Sequence, residues 1–302
     1  MKRGILLVFL TAIISGVSIF LNAFGVKGIN PYMFTGAKNV VVALFLFSII
    51  LLSGQFKELK KLKFKEWGKL SLIGLVGGSI PFLLFFKGLS MASSAQGSFI
   101  HKTMIIWVVI LAMIFFKEKL NSKIIAGSIL LLICNFFLLN LMSFEFNTGA
   151  LLIFIATLFW AAEIVLSKQM LKNLSGNVVA FGRMFFGSLF IMVFLGLTNQ
   201  LSVIQSLTLP YLSWILITSV FLFGYVFTFY NGLKLVKVST AVAILSFGSV
   251  VTTMLNFVFS NQLFLLGQVF GVLAVVCGAS LFLISSNQIK KSVINFKKTK
   301  FF

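Results

Sequence analysis

The stretch FFKGL at residues 85–89 recurs as FYNGL at residues 229–233, and this internal repeat decides the fold. Other matching pairs recur at the same offset or at one residue more: Gly127 with Gly271, Gly4 with Gly149, and Lys38 with Arg183. If each copy holds five membrane spans, the odd number turns the second copy upside down relative to the first. Inverted copies allow one site to face each side of a membrane in turn. The repeat therefore predicts an architecture typical of carriers.

The composition excludes an ordinary soluble domain. Apolar residues make up 60% of the chain and charged residues only 10%, and the mean hydropathy is +1.11. Because about twenty apolar residues cross a bilayer as a helix, the sequence predicts ten spans. Their approximate bounds are 4–24, 32–53, 67–90, 95–116, 124–142, 149–168, 177–197, 209–233, 238–260 and 263–286.

We therefore expect an all-α integral membrane protein with ten transmembrane helices in two inverted five-helix repeats. Residues 1–145 are expected to form the first repeat, residues 146–288 the second, and residues 289–302 a basic cytoplasmic tail. The first apolar run is expected to be a retained span, because it is longer than the core of a typical signal peptide.

The positive charge is distributed unevenly among the loops. If the N-terminus lies in the cytoplasm, twenty of the 25 Lys and Arg residues fall on the inner side. This distribution follows the positive-inside rule, so both termini are predicted to be cytoplasmic, in a multi-pass protein of the plasma membrane. The net charge of +20 is then explained by topology and by contact with anionic lipids, and we expect no nucleic-acid partner.

Several short motifs recur in the same order in both halves. The Gly-Leu pair is followed by small residues at 93–95 and again at 239–241. A later apolar span ends at Glu118 in the first half and at Gln262 in the second. With a basic residue early in the second span of each half, this order of motifs resembles the EamA family of the drug/metabolite transporter superfamily.

The resemblance implies ten helices around a central cavity, lined mainly by helices 1, 3, 4, 6, 8 and 9. It also implies transport of small organic metabolites, often amino acids or related compounds. The sequence departs from the family pattern in two ways. Gln262 replaces the second acidic residue, and the proline that often opens the apolar core of the fourth helix is absent.

Ionisable side chains within the spans are the first candidates for the site, because each is unfavourable at bilayer depth unless it is paired or hydrated. Glu163 is the only Glu within a predicted span, and Arg183 lies at a similar depth in the next one. The two are predicted to face each other or to share an inner vestibule. They would form either a structural ion pair or a proton-binding or gating site.

Basic residues near the outer side form a second group. Lys38, His101 and Lys102 lie one to two turns inside their predicted helices. They would form a cationic vestibule that attracts a carboxylate or phosphate, or the lysines would extend to the outer headgroups. The remaining candidates for substrate binding or gating are polar or aromatic: Trp160, Asn22, Gln96, Tyr225 and Asn231.

Two helices are predicted to be interrupted. Residues 77–81, Gly-Gly-Ser-Ile-Pro, should break the third span, because proline removes a backbone hydrogen bond. Gly224 should break the eighth span. Interruptions at corresponding places in two halves are typical of transport sites.

The leading hypothesis is a secondary carrier that moves a small organic metabolite, amino acid-like or anionic, by alternating access. A lipid or lipid-linked-intermediate translocase is the alternative. An enzyme is least supported, because the sequence has no metal-binding cluster, no Ser/His/Asp set and no paired carboxylates. No Walker motif is present, so ATP is not expected to drive transport through this chain alone. No cofactor is expected. Protons are a possible coupling ion, and the protein could be a monomer or a homodimer.

Overall fold

The computed structural model describes residues 2–25, 28–92, 94–118, 122–138, 147–201 and 208–259, with isolated positions between 267 and 278. In this part of the chain every regular element is a helix. The elements are α1 (Lys2–Gly25), α2 (Pro31–Leu52), α3 (Phe56–Lys60), α4 (Phe64–Ile73), the π-helical segment π1 (Gly74–Ser79), α5 (Ile80–Leu89), α6 (Ser94–Lys102), α7 (Met104–Phe116), α8 (Ser122–Leu138), α9 (Thr148–Met170), α10 (Gly176–Leu197), α11 (Leu209–Leu235), α12 (Val238–Leu245) and α13 (Gly248–Phe259).

Among the described residues, eight helical segments are long and apolar enough to cross a membrane. They match the first four and the sixth to ninth predicted spans. The fifth predicted span is occupied by α8, whose apolar part, Ile125–Phe137, is shorter. The tenth predicted span and the basic tail at 289–302 lie outside the described residues, apart from isolated positions of the former.

Two helix pairs pack through closely approaching glycines. Gly88 of α5 faces Gly149 of α9, and a Cβ at Gly88 would lie 2.6 Å from the Gly149 carbonyl oxygen. Gly4 of α1 packs against α11, where a Cβ at Gly4 would lie 2.6 Å from Leu235 Cβ and 3.4 Å from the Gly232 carbonyl oxygen. Gly4 corresponds to Gly149 in the sequence repeat, and Gly88 corresponds to Gly232. The first span of each half thus packs against the Gly-Leu helix of the other half.

The N-termini of α2 and α10 are capped alike. The Asn30 side chain accepts hydrogen bonds from the backbone N–H groups of Tyr32 and Met33. The Ser175 hydroxyl accepts one from the Val178 N–H. Such side chains satisfy N–H groups that have no partner within the helix. Asn30 and Ser175 occupy equivalent positions of the repeat.

The C-terminal ends of α2 and α10 also match, and each is hydrogen-bonded to the N-terminal end of the other helix. Gly54 and Asn199 both adopt positive φ, at 69° and 54°, a common way to end a helix. The Gln55 side-chain oxygen then accepts a hydrogen bond of 3.1 Å from Asn177. The Gln200 side-chain oxygen accepts one of 3.0 Å from Asn30. The end of each helix contacts the start of the other, so α2 and α10 run antiparallel.

The predicted interruption of the third span is confirmed, and it takes the form of π1 between α4 and α5. Its glycines allow a close approach to α10, because a Cβ at Gly187 would lie 2.6 Å from the Gly78 carbonyl oxygen. The predicted break at Gly224 is wrong, since α11 is continuous from Leu209 to Leu235. One glycine without a proline costs a helix only about 1 kcal/mol, which the surrounding packing offsets.

Two interruptions were not predicted. The fourth span is divided at Thr103, between α6 and α7, and the ninth span is divided at residues 246–247, between α12 and α13. Thr103 corresponds to Phe247 in the repeat. No proline marks either place, which is why sequence analysis missed them. The two breaks lie at equivalent points of the two halves, as is typical of transport sites.

The close contact between π1 and α10 predicts that enlarging Gly187 lowers stability, whereas enlarging Gly68, which lies outside that contact, does not. Gly187→Ala should destabilise the protein by about 1–3 kcal/mol, the usual range for an overpacked core. Gly68→Ala is the matched control, because its Cβ would meet nothing within 4 Å, and alanine is the better helix former. Thermal unfolding in detergent should show a lower midpoint for the first variant and an equal or higher one for the second. A Gly187→Ala protein as stable as the parent would contradict the close approach.

Candidate functional site

A cavity of about 140 Å³ lies among α1, α2, α5, α9, α10 and α11 and the junction of α6 with α7. Much of its wall is aromatic. Its charged and polar lining residues are Ser15, Ser18, Asn22, Lys38, His101, Glu163 and Arg183. The second and seventh spans, α2 and α10, contribute Lys38 and Arg183, so the lining extends beyond the six spans that the family resemblance implies.

Most of the residues selected from the sequence meet at this cavity. Those that line it are Asn22, Lys38, His101, Trp160, Glu163, Arg183 and Tyr225. Lys102 lines a narrow crevice that shares part of the cavity wall. Gln96 is buried in α6 but does not line the cavity. Asn231 is also placed elsewhere, since it donates to the Asn177 side chain and to the Phe227 carbonyl. The functional roles assigned to these residues stay predictions.

Glu163 is the centre of a buried polar cluster. Its Oε2 atom lies 4.0 Å from Arg183 Nε, which confirms that the two side chains face each other. Its Oε1 atom accepts a hydrogen bond of 2.6 Å from the Tyr230 hydroxyl and another from the Ser167 hydroxyl. Glu163 is 2% exposed and Arg183 is 5% exposed. The carboxylate thus has both a charge partner and two donors, which a buried charge requires.

Arg183 is positioned by the interrupted helix. Its Nη2 atom donates a hydrogen bond of 3.0 Å to the Gly77 carbonyl, and Trp160 Nε1 donates another of 3.0 Å to the same oxygen. Pro81, four residues after Gly77, has no N–H to occupy this carbonyl. Gly77 also leaves room for Glu163, because a Cβ there would lie 2.1 Å from Glu163 Cγ. The predicted break in the third span therefore helps to build the site.

Lys38 occupies the equivalent position in the first half. Its ammonium group donates a hydrogen bond of 2.7 Å to Asn22 Oδ1 and lies 4.7 Å from the centre of the Phe34 ring. Asn22 in turn donates to the Ser18 hydroxyl at 3.1 Å. Lys38 is 3% exposed, so it does not extend to the headgroups.

The two clusters are related by the repeat. Ser18 and Asn22 correspond to Glu163 and Ser167, and Lys38 corresponds to Arg183. Each half therefore places a cation of its second span beside a polar pair, one helical turn apart, on its first span. The difference between the halves is chemical, because only the second half supplies a carboxylate.

The junction of α6 and α7 brings His101 and Lys102 to the same region. The His101 ring makes an edge-to-face contact with Trp160, with 5.0 Å between ring centres. Lys102 is 7% exposed, and its crevice is also lined by Ser15, Leu245 and Ser246. Ser246 is the repeat counterpart of Lys102. The crevice thus lies where the two divided spans meet.

The sequence places Tyr230 in or near a cavity-lining helix, but sequence reasoning did not predict the hydrogen bonds that Tyr230 and Ser167 donate to Glu163. Tyr230 lies two positions before the Gly-Leu pair of the second half, and nothing in its sequence context indicates a contact with α9. Ser167 could have been found, because it lies one helical turn after Glu163 and so on the same face.

Comparison with known proteins identifies the family. The model of the EamA-like transporter family matches the chain twice, over residues 2–140 and 147–284. This chain belongs to the EamA-like transporter family. It is therefore a membrane transporter, built from a duplicated EamA domain.

Individual relatives agree with this assignment. An uncharacterized transporter of Methanothermobacter thermautotrophicus is 24% identical over 219 residues, which span 66% of this chain and 63% of the relative. An uncharacterized transporter in the cobO 3′ region of a Sinorhizobium species is 30% identical over 35% of this chain and 80% of its own. A WAT1-related protein of Arabidopsis thaliana is 27% identical over 37% of this chain and 31% of its own.

A solved crystal structure shares the fold. It matches this protein with a TM-score of 0.77, covering 96% of this chain and 99% of its own. The sequence identity is 16%, so the likeness supports the fold alone.

The ion pair between Glu163 and Arg183 predicts a non-additive effect on stability. Glu163→Gln leaves Arg183 buried without a charge partner, which should lower the free energy of unfolding by about 3–5 kcal/mol. The double variant Glu163→Gln/Arg183→Gln should be more stable than Glu163→Gln alone. Thermal unfolding in detergent measures both, and Glu66→Gln serves as a control because Glu66 lies outside the cavity. Strictly additive losses would contradict the pairing.

Proposed function

We propose that this transporter is a secondary carrier that moves a small organic metabolite, amino acid-like or anionic, by alternating access. The observation that carries the proposal is the cavity of about 140 Å³, where equivalent polar clusters of the two halves meet. A site built from both halves changes its exposure when the halves rock against each other.

The proposed arrangement is ten spans in two inverted repeats, comprising residues 1–145 and 146–288. The antiparallel pair of α2 and α10 supports inversion, because equivalent helices of inverted halves run in opposite directions. The exchanged glycine contacts, Gly4 with Gly232 and Gly88 with Gly149, support the same symmetry. The tenth span and the cytoplasmic tail complete the proposal from sequence alone.

We further propose that Glu163 binds a coupling proton. Its carboxylate faces Arg183, Tyr230 and Ser167, and the ring of Trp160 lines the same cavity. Protonation would remove the attraction between Glu163 and Arg183, and the uncompensated guanidinium group would then add to the positive charge that attracts a substrate anion. A proton and the substrate anion could then occupy the carrier together.

The carrier is proposed to lie in the plasma membrane, with both termini in the cytoplasm, and to work without an enzymatic step. The positive-inside distribution of Lys and Arg supports this orientation, and the basic inner loops would contact anionic lipids. Reporter fusions at the two termini test the topology. The oligomeric state, monomer or homodimer, is measured by light scattering in detergent.

Uptake by reconstituted vesicles tests the proposed function. We expect counterflow of at least one compound from a panel of radiolabelled amino acids and small organic acids, and accumulation driven by a pH gradient. Glu163→Gln should retain counterflow but lose the response to the gradient, because the variant side chain binds no proton. Glu66→Gln should behave as the parent.

The possible outcomes separate the parts of this proposal. If the parent protein shows counterflow but ignores the pH gradient, proton coupling at Glu163 is wrong and the carrier remains. If fluorescent lipids cross the vesicle membrane while no solute exchanges, the protein is the alternative, a lipid or lipid-linked-intermediate translocase. Data are normalised to folded protein, because Glu163→Gln is expected to be less stable.

A further inference from the structure

The buried charges of the described residues do not balance. Lys38, Lys102 and Arg183 are each 3–7% exposed, and Glu163 is the one buried carboxylate in this part of the chain. Glu163 faces Arg183. Lys38 and Lys102 are thus left without a carboxylate partner among the described residues, at a depth where an uncompensated charge is unfavourable.

The two lysines approach one space from different walls. Lys38 lines the cavity from α2, and its ammonium group is oriented by Asn22 at 2.7 Å. Lys102 lines the adjoining crevice from the end of α6. The cavity and the crevice share Ser15, His101, Met104 and Tyr225 as wall residues. A ligand that fills the cavity therefore lies beside Lys38 and against wall residues that also surround Lys102.

The wall of the cavity is largely apolar. Phe82, Phe85, Trp160 and Phe229 line the cavity, and Trp160 makes ring contacts with Phe82 and Phe85. The cavity volume of about 140 Å³ is close to that of an engineered cavity of about 150 Å³ that holds benzene. A ligand of this cavity is therefore small and packs against an aromatic wall.

We propose that the substrate is a small organic dianion whose two acidic groups lie at opposite ends, one bound by Lys38 and the other by Lys102. This inference rests on the proposed carrier function. It extends that function by naming the charge and shape of the substrate. Both uncompensated cations then gain a partner when the substrate is bound, and the aromatic wall packs against its carbon chain.

A binding experiment with three probes of similar size tests the proposal. Succinate, succinamate and succinamide carry two, one and no negative charges, and each is titrated into the purified full-length protein while tryptophan fluorescence is recorded. Trp160 lines the cavity, and the Trp160→Phe variant identifies its share of the signal. We expect affinity to fall about 10- to 100-fold for each charge removed, as for one lost charge-assisted hydrogen bond.

Lysine variants test which side chains bind the two acidic groups of the substrate. Lys38→Gln and Lys102→Gln should each weaken succinate binding to about the level of succinamate in the parent protein. Lys87→Gln is the matched control, because Lys87 is an exposed lysine at the end of α5, and it should bind succinate normally. Equal affinity for succinate and succinamate, or normal succinate binding by Lys102→Gln, would overturn the proposal. Tighter binding of glycerol 3-phosphate than of succinate would overturn the two-ended arrangement.

Vesicle counterflow separates this inference from the carrier function. Exchange of monoanions or zwitterions without exchange of succinate would overturn the dianion and leave the carrier intact. Binding of succinate that depends on both lysines, with no counterflow of any compound, would support the dianion site and overturn the carrier. If the parent protein exchanges succinate and neither lysine variant does, the result supports both the dianion site and the carrier function.

Discussion

Pro81 has no N–H, and the site is organised around the carbonyl that this leaves without an α-helical partner. In a bilayer, every backbone polar group must find a partner within the protein. The Gly77 carbonyl finds two, Arg183 and Trp160, and the Gly78 carbonyl accepts from Asn39 at 2.8 Å. Carbonyl oxygens of the π-helical segment thus serve as fixed hydrogen-bond acceptors, and one of them orients Arg183 beside Glu163.

The two halves share a framework and differ in charge. Each sets a basic residue of its second span beside a polar pair of its first span, but only the pair of the second half includes a carboxylate. The arginine is therefore neutralised within the protein, whereas Lys38 relies on the neutral oxygen of Asn22. The duplicated helices give the cavity its shape, and the residues that differ between the two halves determine its charge.

Much of this could be predicted from the sequence. Hydropathy locates the spans, because each must supply about twenty apolar residues, and depth within the helices indicates that Glu163 and Arg183 meet. The same depth argument brings Lys38 and His101 to the cavity. Pro81 marks a true break, because the loss of an N–H is a local property that no packing restores.

The remaining features depend on contacts between helices. The bond from Tyr230 to Glu163 joins residues 67 positions apart, and the pattern of either helix does not contain it. Gly224 indicated a break that is absent, while Thr103 interrupts the fourth span without a helix-breaking residue. Asn231 and Gln96 are polar residues within a span, yet neither lines the cavity.

The links at the ends of α2 and α10 have a mechanical consequence. Gln55 and Gln200 fasten the two helices at opposite extremities, so this pair resists both sliding and splaying. The pair therefore forms a braced antiparallel unit, beside which α1 packs with α11 and α5 packs with α9. Lys38 and Arg183, one cation from each half, both lie on this braced unit, so the same two end contacts set their spacing in the cavity.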